Sequence, residues 1–192
     1  MIPALAILVA MACAGASARR LWFAANATWL HPDALLGAVK GKGIEGLRDV
    51  VAKEPRADWE RDLLAALEAP NVEARAALVN EQLGELDYRV HRWARVPRVC
   101  ASIATSAGFL LATLVMRKGL AEADVSGEAG DLFIRGLVGD ALTVAAFGIV
   151  GTAFCIAAMG QARRIVRERM VAADRLVERL EQLEQGEAAR AP

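Results

Sequence analysis

The sequence predicts an all-α membrane protein with three transmembrane helices. A helical cytoplasmic domain lies between the first and second spans, and a long third helix extends into the cytoplasm. Three observations predict it: three stretches without charge, an uneven distribution of Lys and Arg around them, and apolar seams at helical spacing between and after them. The chain is 55% hydrophobic and 24% charged, with a mean hydropathy of +0.30. Segregation along the chain reconciles those values, because residues 2–18, 99–116 and 141–159 carry no charged side chain. The net charge of zero by itself says nothing about nucleic acid, but the basic residues follow the membrane boundaries instead of forming a stripe, so the expected partner is the lipid bilayer and no nucleic acid.

Of the 23 Lys and Arg residues, 13 fall in residues 19–98, three in 117–140 and seven after Met159. The positive-inside rule therefore places 19–98 and 161–192 in the cytoplasm, the connector 117–135 outside, and the N-terminus outside. That connector is acidic, with Glu122, Asp124, Glu128 and Asp131.

The first segment, 1–18, is expected to be an N-out anchor. It lies at the lower edge of the ~17–25 residues a spanning helix needs, and Arg19 and Arg20 follow it as an inner boundary. Trp22, Phe23 and Trp29 suit the interfacial aromatic belt. Residues 14–18, Ala-Gly-Ala-Ser-Ala, would suit a signal peptidase, but no basic n-region precedes the apolar run, and cleavage would send 13 basic residues outward. That alternative would leave a two-span hairpin.

Residues 33–51 have helical apolar spacing at Leu35, Leu36, Val39, Leu47, Val50 and Val51, interrupted by Gly41, Gly43 and Gly46 around Lys40 and Lys42. Gly-Lys-Gly lacks the spacing of a phosphate loop and follows no strand, so it reads as a loop between two short helices. Residues 58–67 form the next helix. Pro70 and Asn71 end it and cap another, in which Val72, Ala76, Val79, Leu83, Leu86, Val90 and Trp93 alternate steps of four and three. The tail carries a matching seam, Val166, Met170, Ala173, Val177 and Leu180, widened by Leu176 and Leu183.

In the second span, 99–116, Ser102, Thr105, Ser106 and Thr113 share one face at 100° per residue. Such a stripe offers a wet path, or hydroxyls that glue helices. In the third, 136–160, Ala141, Ala145, Gly148, Thr152 and Cys155 form a small-residue stripe suited to close helix packing. Asp140 stands at its mouth with Thr143 beside it, and an ionisable group there either snorkels to water or lines an ion route. Catalysis has no comparable signal. His31 and His91 have no metal-ligand spacing, and Cys13, Cys100 and Cys155 lie one to a span, where a cysteine reads as a small hydrophobe. Neither an enzyme, a cofactor nor a metal is expected.

Three stretches resemble the MotA/TolQ/ExbB proton-channel family, most closely its TolQ/ExbB branch. They are Arg19-Arg20-Leu-Trp-Phe after the short anchor, Asn80-Glu-Gln-Leu through Trp93 into Leu110-Leu-Ala-Thr-Leu-Val-Met116, and Asp140-Ala-Leu through Gly148-Ile-Val. The resemblance puts Thr113 on the family's pore threonine, Asp140 on its pore-mouth carboxylate and Gly148 on its glycine. The chain departs where Ala145 replaces a threonine, Phe154 a proline and Ala112 a glycine, although Thr143 supplies a hydroxyl half a turn away. The resemblance implies a homopentamer in a bacterial inner membrane around single-span partners of the TolR/ExbD type. Its work would be to couple the proton-motive force to transport, envelope maintenance or motility. A non-conducting scaffold of an envelope complex is the alternative that the residues leave open.

The topology makes the first expected outcome. In intact cells, a cysteine replacing Ser126 reacts with a membrane-impermeant maleimide, whereas a surface cysteine within 19–98 reacts only after permeabilisation. Labelling of the second without permeabilisation reverses the topology.

Overall fold

The computed structural model describes residues 2–122 and 128–188, and every element in it is an α-helix. In chain order these are α1 (Ile2–Ala25), α2 (Pro32–Ala52), α3 (Asp58–Leu67), α4 (Val72–His91), α5 (Val96–Glu122) and α6 (Glu128–Ala188). Three of the helices are long and apolar enough to cross a membrane, the pattern of a multi-pass membrane protein. They outrun the charge-free stretches. Helix α5 continues to Glu122 and α6 begins at Glu128, so the connector expected over 117–135 is helical at both ends. No Pro or left-handed Gly interrupts α6 after Met159, and it runs to Ala188 as one helix of 61 residues. Asp124 and Ser126 lie outside the described residues, as do the side chains of Glu122, Glu128, Asp131 and Leu183.

The chain divides into two compact units. The first comprises Met1–Trp22 and Trp93–Gln161. Two buried clusters hold its helices together. Ala6 of α1 meets Leu111 and Ala112 of α5 and Ala141 and Val144 of α6 in one, and Cys13 meets Ala101, Ala104 and Cys155 in the other. The residues are small, so packing brings backbones close rather than filling a wide core. Outside this interior the helices expose Leu8, Met11, Phe109, Leu110, Leu142, Ile149, Val150 and Ile156, an apolar surface that water would not tolerate and acyl chains would.

The second unit comprises Phe23–Arg92 and Ala162–Pro192. Helix α2 starts with His31 at its N-cap, accepting from the Asp33 amide through Nδ1 at 3.4 Å, and with Pro32 in the first turn. Two helical pieces meet at Gly43, whose φ of 64° and ψ of −146° are open only to glycine. This is the predicted break between short helices, reduced to a kink. Helix α3 packs on α2 and α4 and buries Trp59, Leu63 and Leu67, and the Trp59 indole donates to the Gln82 carbonyl at 2.9 Å. Asn71 caps α4 by accepting from the Glu73 amide at 3.0 Å. Trp29 donates to Glu54 at 2.8 Å and carries the Arg56 guanidinium over its ring.

The two apolar seams fare differently. Val79, Leu86 and Val90 of α4 are buried, but Val72 and Ala76 are exposed, and Trp93 lies beyond the helix at a left-handed φ of 66°. A bulky residue adopts that conformation at the cost of strain, which ends the predicted seam two residues early. In the tail Val166, Ala173, Leu176, Val177 and Leu180 are all buried, with Met170 half-buried.

Arg169, on the same tail, is buried and donates to the carbonyls of Ala25 and Thr28 and to the Thr28 hydroxyl. Ala25 is the last residue of α1, so the guanidinium satisfies carbonyls that the helix leaves without partners and sits at the negative end of its dipole. Glu60 of α3, also buried, accepts from the Leu30 amide at 2.8 Å and interacts electrostatically with Arg169. The segment between α1 and α2 is thus gripped from both sides. Arg169→Ala is expected to destabilise by about 3–5 kcal/mol in thermal or denaturant unfolding, because it strands a buried carboxylate and buried carbonyls. The double replacement Arg169→Met, Glu60→Met should not restore stability, since the backbone groups stay unpaired. Full recovery would reduce the arrangement to a simple ion pair.

Candidate functional site

The site is built on the facing surfaces of α5 and α6 in the first unit. Its foundation is glycine. A Cβ on Gly148 would stand 2.7 Å from the Gly108 Cα and 2.8 Å from the Ala104 carbonyl oxygen, and one on Gly108 would stand 2.8 Å from the Gly148 Cα. No carbon fits there, so the two backbones touch. Along α6, a Cβ on Gly151 would lie 3.1 Å from the Ala10 side chain, which brings α1 onto the same face.

This contact sorts the hydroxyls. Thr105 and Thr152 meet across the helices at 2.6 Å between their Oγ1 atoms, and Thr152 also reaches the Ala101 carbonyl at 3.2 Å and its own Gly148 carbonyl at 2.8 Å. Thr105 donates to the Ala101 carbonyl at 3.0 Å. Ser102, Ser106 and Thr113 lie exposed on the other side of α5, and a shallow groove runs along Ser102, Ile103, Ser106, Ala107 and Leu110. The stripe expected on one face is therefore split. Thr105 sits at its edge and turns inward to pair with α6, while the other three look outward.

On α6, Ala141, Gly148 and Cys155 are buried, and Ala145 and Thr152 half-buried. The expected small-residue stripe thus lies against α5 and α1. Asp140 is exposed, and among the described residues no side chain pairs with it. Thr143 is exposed and donates to the Gly139 carbonyl at 2.8 Å, and Thr113 donates to the Leu110 carbonyl at 2.7 Å. Within one chain, then, Thr113 and Thr143 each close on their own helix, and the only hydroxyl pair brought together is Thr105 with Thr152 among the described residues.

Two features of the site escaped the sequence reading. One is the role of Gly108, whose partner lies 40 residues on and leaves no local periodic signal. The other is the convergence of the cysteines, since Cys100 packs against the cluster that holds Cys13 and Cys155. A cysteine in each charge-free stretch was the only available hint. Among the described residues, no group of His, Cys, Asp and Glu is arranged to hold a metal ion.

No family model, curated protein or solved structure matches the chain.

Gly148→Ala and Gly108→Ala are each expected to lower the melting temperature in detergent and separate α5 from α6, with an overpacking penalty of about 1–3 kcal/mol. Gly136→Ala and Gly139→Ala meet open space and should raise helix stability slightly. Equal tolerance at all four positions would contradict the close contact.

Proposed function

We propose that the chain is a proton-conducting, stator-like subunit of an inner-membrane complex, and that it couples proton movement to work at the cell envelope. One observation carries the reading. Three hydroxyls, Ser102, Ser106 and Thr113, are exposed on a helix whose other exposed residues there are Ile, Leu and Phe, and α6 presents Asp140 and Thr143 outward at one end of its apolar run. Lipid gives such groups no hydrogen bonds, and a carboxylate at the edge of hydrocarbon has a desolvation cost. A second surface or a file of water would satisfy them. The interior of the unit is closed by Ala, Leu, Val and Cys side chains and by the Gly108–Gly148 backbone contact, so a route would run between copies or against a partner helix rather than through one chain.

In this reading Asp140 takes and releases the proton, Thr113, Thr143 and the two serines order water, and Thr105 belongs to packing and to the inner wall of the path. The partners follow from the resemblance: further copies of the chain, five in all, around single-span helices of the TolR/ExbD type. The Lys and Arg asymmetry supports an outer N-terminus and a cytoplasmic tail.

A second reading, a non-conducting scaffold, is favoured by one observation: the Thr113 and Thr143 hydroxyls are already bonded to their own backbones. Proton flux separates the two. In proteoliposomes holding the complex purified with its partner, Asp140→Asn and Thr113→Val are expected to assemble normally and to cut flux tenfold or more. Assembly with unchanged flux in both variants would sink the proton route and leave the scaffold.

A further inference from the structure

Arginine recurs at every third residue across the junction of α4 and α5, at Arg89, Arg92, Arg95 and Arg98. No Asp or Glu occurs between Asp87 and Glu122 and none before Asp33, so neither α1 nor the start of α5 carries a carboxylate. Several arginines elsewhere have one close by: Arg48 pairs with Glu68, Arg61 with Asp58, Arg89 with Glu85 and Arg164 with Glu168. Arg95 and Arg98 differ. Both are exposed, and among the described residues neither has a hydrogen-bond or ion-pair partner.

Packing within the membrane unit brings the end of α1 to the same level. Ala6 meets Leu111 and Ala112, and Cys13 meets Ala101 and Ala104, so α1 and α5 run antiparallel. Continued by about two turns, that register sets the exposed Arg19 level with Arg98 and the exposed Trp22 level with Arg95, two residues from the exposed Trp93. The Arg95 carbonyl accepts from the Val99 amide at 3.1 Å, so Arg95 already stands on the first turn of α5. Below it on the same face are Val99 and Ile103, both exposed and apolar.

We propose that Arg95 and Arg98 bind the headgroup of an anionic phospholipid, whose acyl chains lie against Val99 and Ile103. A phosphodiester supplies the negative charge that this end of the unit lacks, and guanidinium groups hold it through paired N–H donors. The apolar face directly below excludes a ligand that is charged throughout. Between the two levels, the indoles of Trp22 and Trp93 suit the depth at which a ring meets hydrocarbon and its N–H meets headgroups. A zwitterionic lipid brings a cation of its own, which the arginines repel, so the site selects phosphatidylglycerol over phosphatidylcholine. Free phosphate shares the charge chemistry but leaves the apolar face uncovered. The site does not depend on proton conduction and holds for a stator-like subunit and a scaffold alike.

The test titrates the full chain, delipidated in mild detergent, with either lipid and reads bound lipid by native mass spectrometry. Phosphatidylglycerol is expected to bind about tenfold more tightly than phosphatidylcholine, and the difference should shrink at high salt. Arg95→Gln and Arg98→Gln should each weaken phosphatidylglycerol binding by about fivefold, whereas Arg95→Lys with Arg98→Lys should keep most of it. Arg175→Gln, an equal change of charge at an exposed position of the tail, should leave binding unchanged. In nanodiscs, phosphatidylglycerol should shield Arg95 and Arg98, but not Arg175, from phenylglyoxal. That mapping uses the unaltered chain and locates the site even where a variant fails to accumulate. The proposal is overturned if the unaltered chain binds both lipids equally, if the double glutamine variant keeps the preference, or if Arg95 and Arg98 stay reactive in phosphatidylglycerol. Displacement of the lipid by millimolar glycerol phosphate would overturn it as well, since the arginines would then be a site for soluble phosphate.

Discussion

The contact between Gly108 and Gly148 is the constraint on which the membrane unit depends. Where two helices meet at bare backbone, the side chains beside the contact are forced into fixed partnerships. Thr105 is drawn against Thr152, Ala101 and Ala104 against Cys13 and Cys155, and Leu111 and Ala112 against Ala141 and Val144. Interhelical hydroxyl bonds in membranes are each worth only about 0.6 kcal/mol on average. The Thr105–Thr152 bond therefore reports the approach more than it causes it. The approach also decides what is left outside: with one face of α5 given to glycine and alanine, Ser102, Ser106 and Thr113 have nowhere to go but outward.

A different solution holds the other unit. There the tail of α6 buries Leu176 and Leu180 completely, and the same helix carries a guanidinium inward. Arg169 makes sense only because the end of α1 has carbonyls to offer, and Glu60 only because Leu30 has an amide to donate. Each charge is compensated mainly by backbone dipoles. This is why neither residue announces itself as half of a salt bridge, and why the arrangement specifies the conformation of the connecting segment rather than only adding to stability.

The two units also divide the chemistry. Polar groups in the second are mostly matched: Arg48 with Glu68 at 2.5 Å, Arg89 with Glu85 at 2.6 Å, Trp29 with Glu54. In the first, the exposed hydroxyls of Ser102, Ser106, Thr113 and Thr143 and the exposed Asp140 carboxylate stand on otherwise apolar stretches, and of these only Thr113 and Thr143 close on their own backbones. An unmatched polar group on a membrane helix has a cost that selection removes unless something satisfies it, and that imbalance is the physical argument for a second surface at this face.

Much of this protein was legible in its sequence. Charge-free runs dictate spanning helices because a backbone in hydrocarbon has no other way to satisfy its amides, and a proline-free, charge-patterned tail dictates the continuation of α6. Asn71 marks its helix start through a local bond, and Gly43 marks its kink because only glycine adopts that conformation. These are short-range effects, readable wherever the cause and the consequence lie within a few residues. The rest required the tertiary structure. Helical periodicity groups Thr105 with Ser102 and Ser106 but cannot say which edge of the face a neighbouring helix will claim, and that choice was made by glycines 40 residues apart. Nothing local to residue 169 marks Arg169 for burial, because its partners Ala25 and Thr28 lie at the far end of the chain. The three cysteines, unremarkable one to a span, became neighbours only because three helices packed on small residues, and a contact between distant segments leaves no trace in the order of residues along the chain.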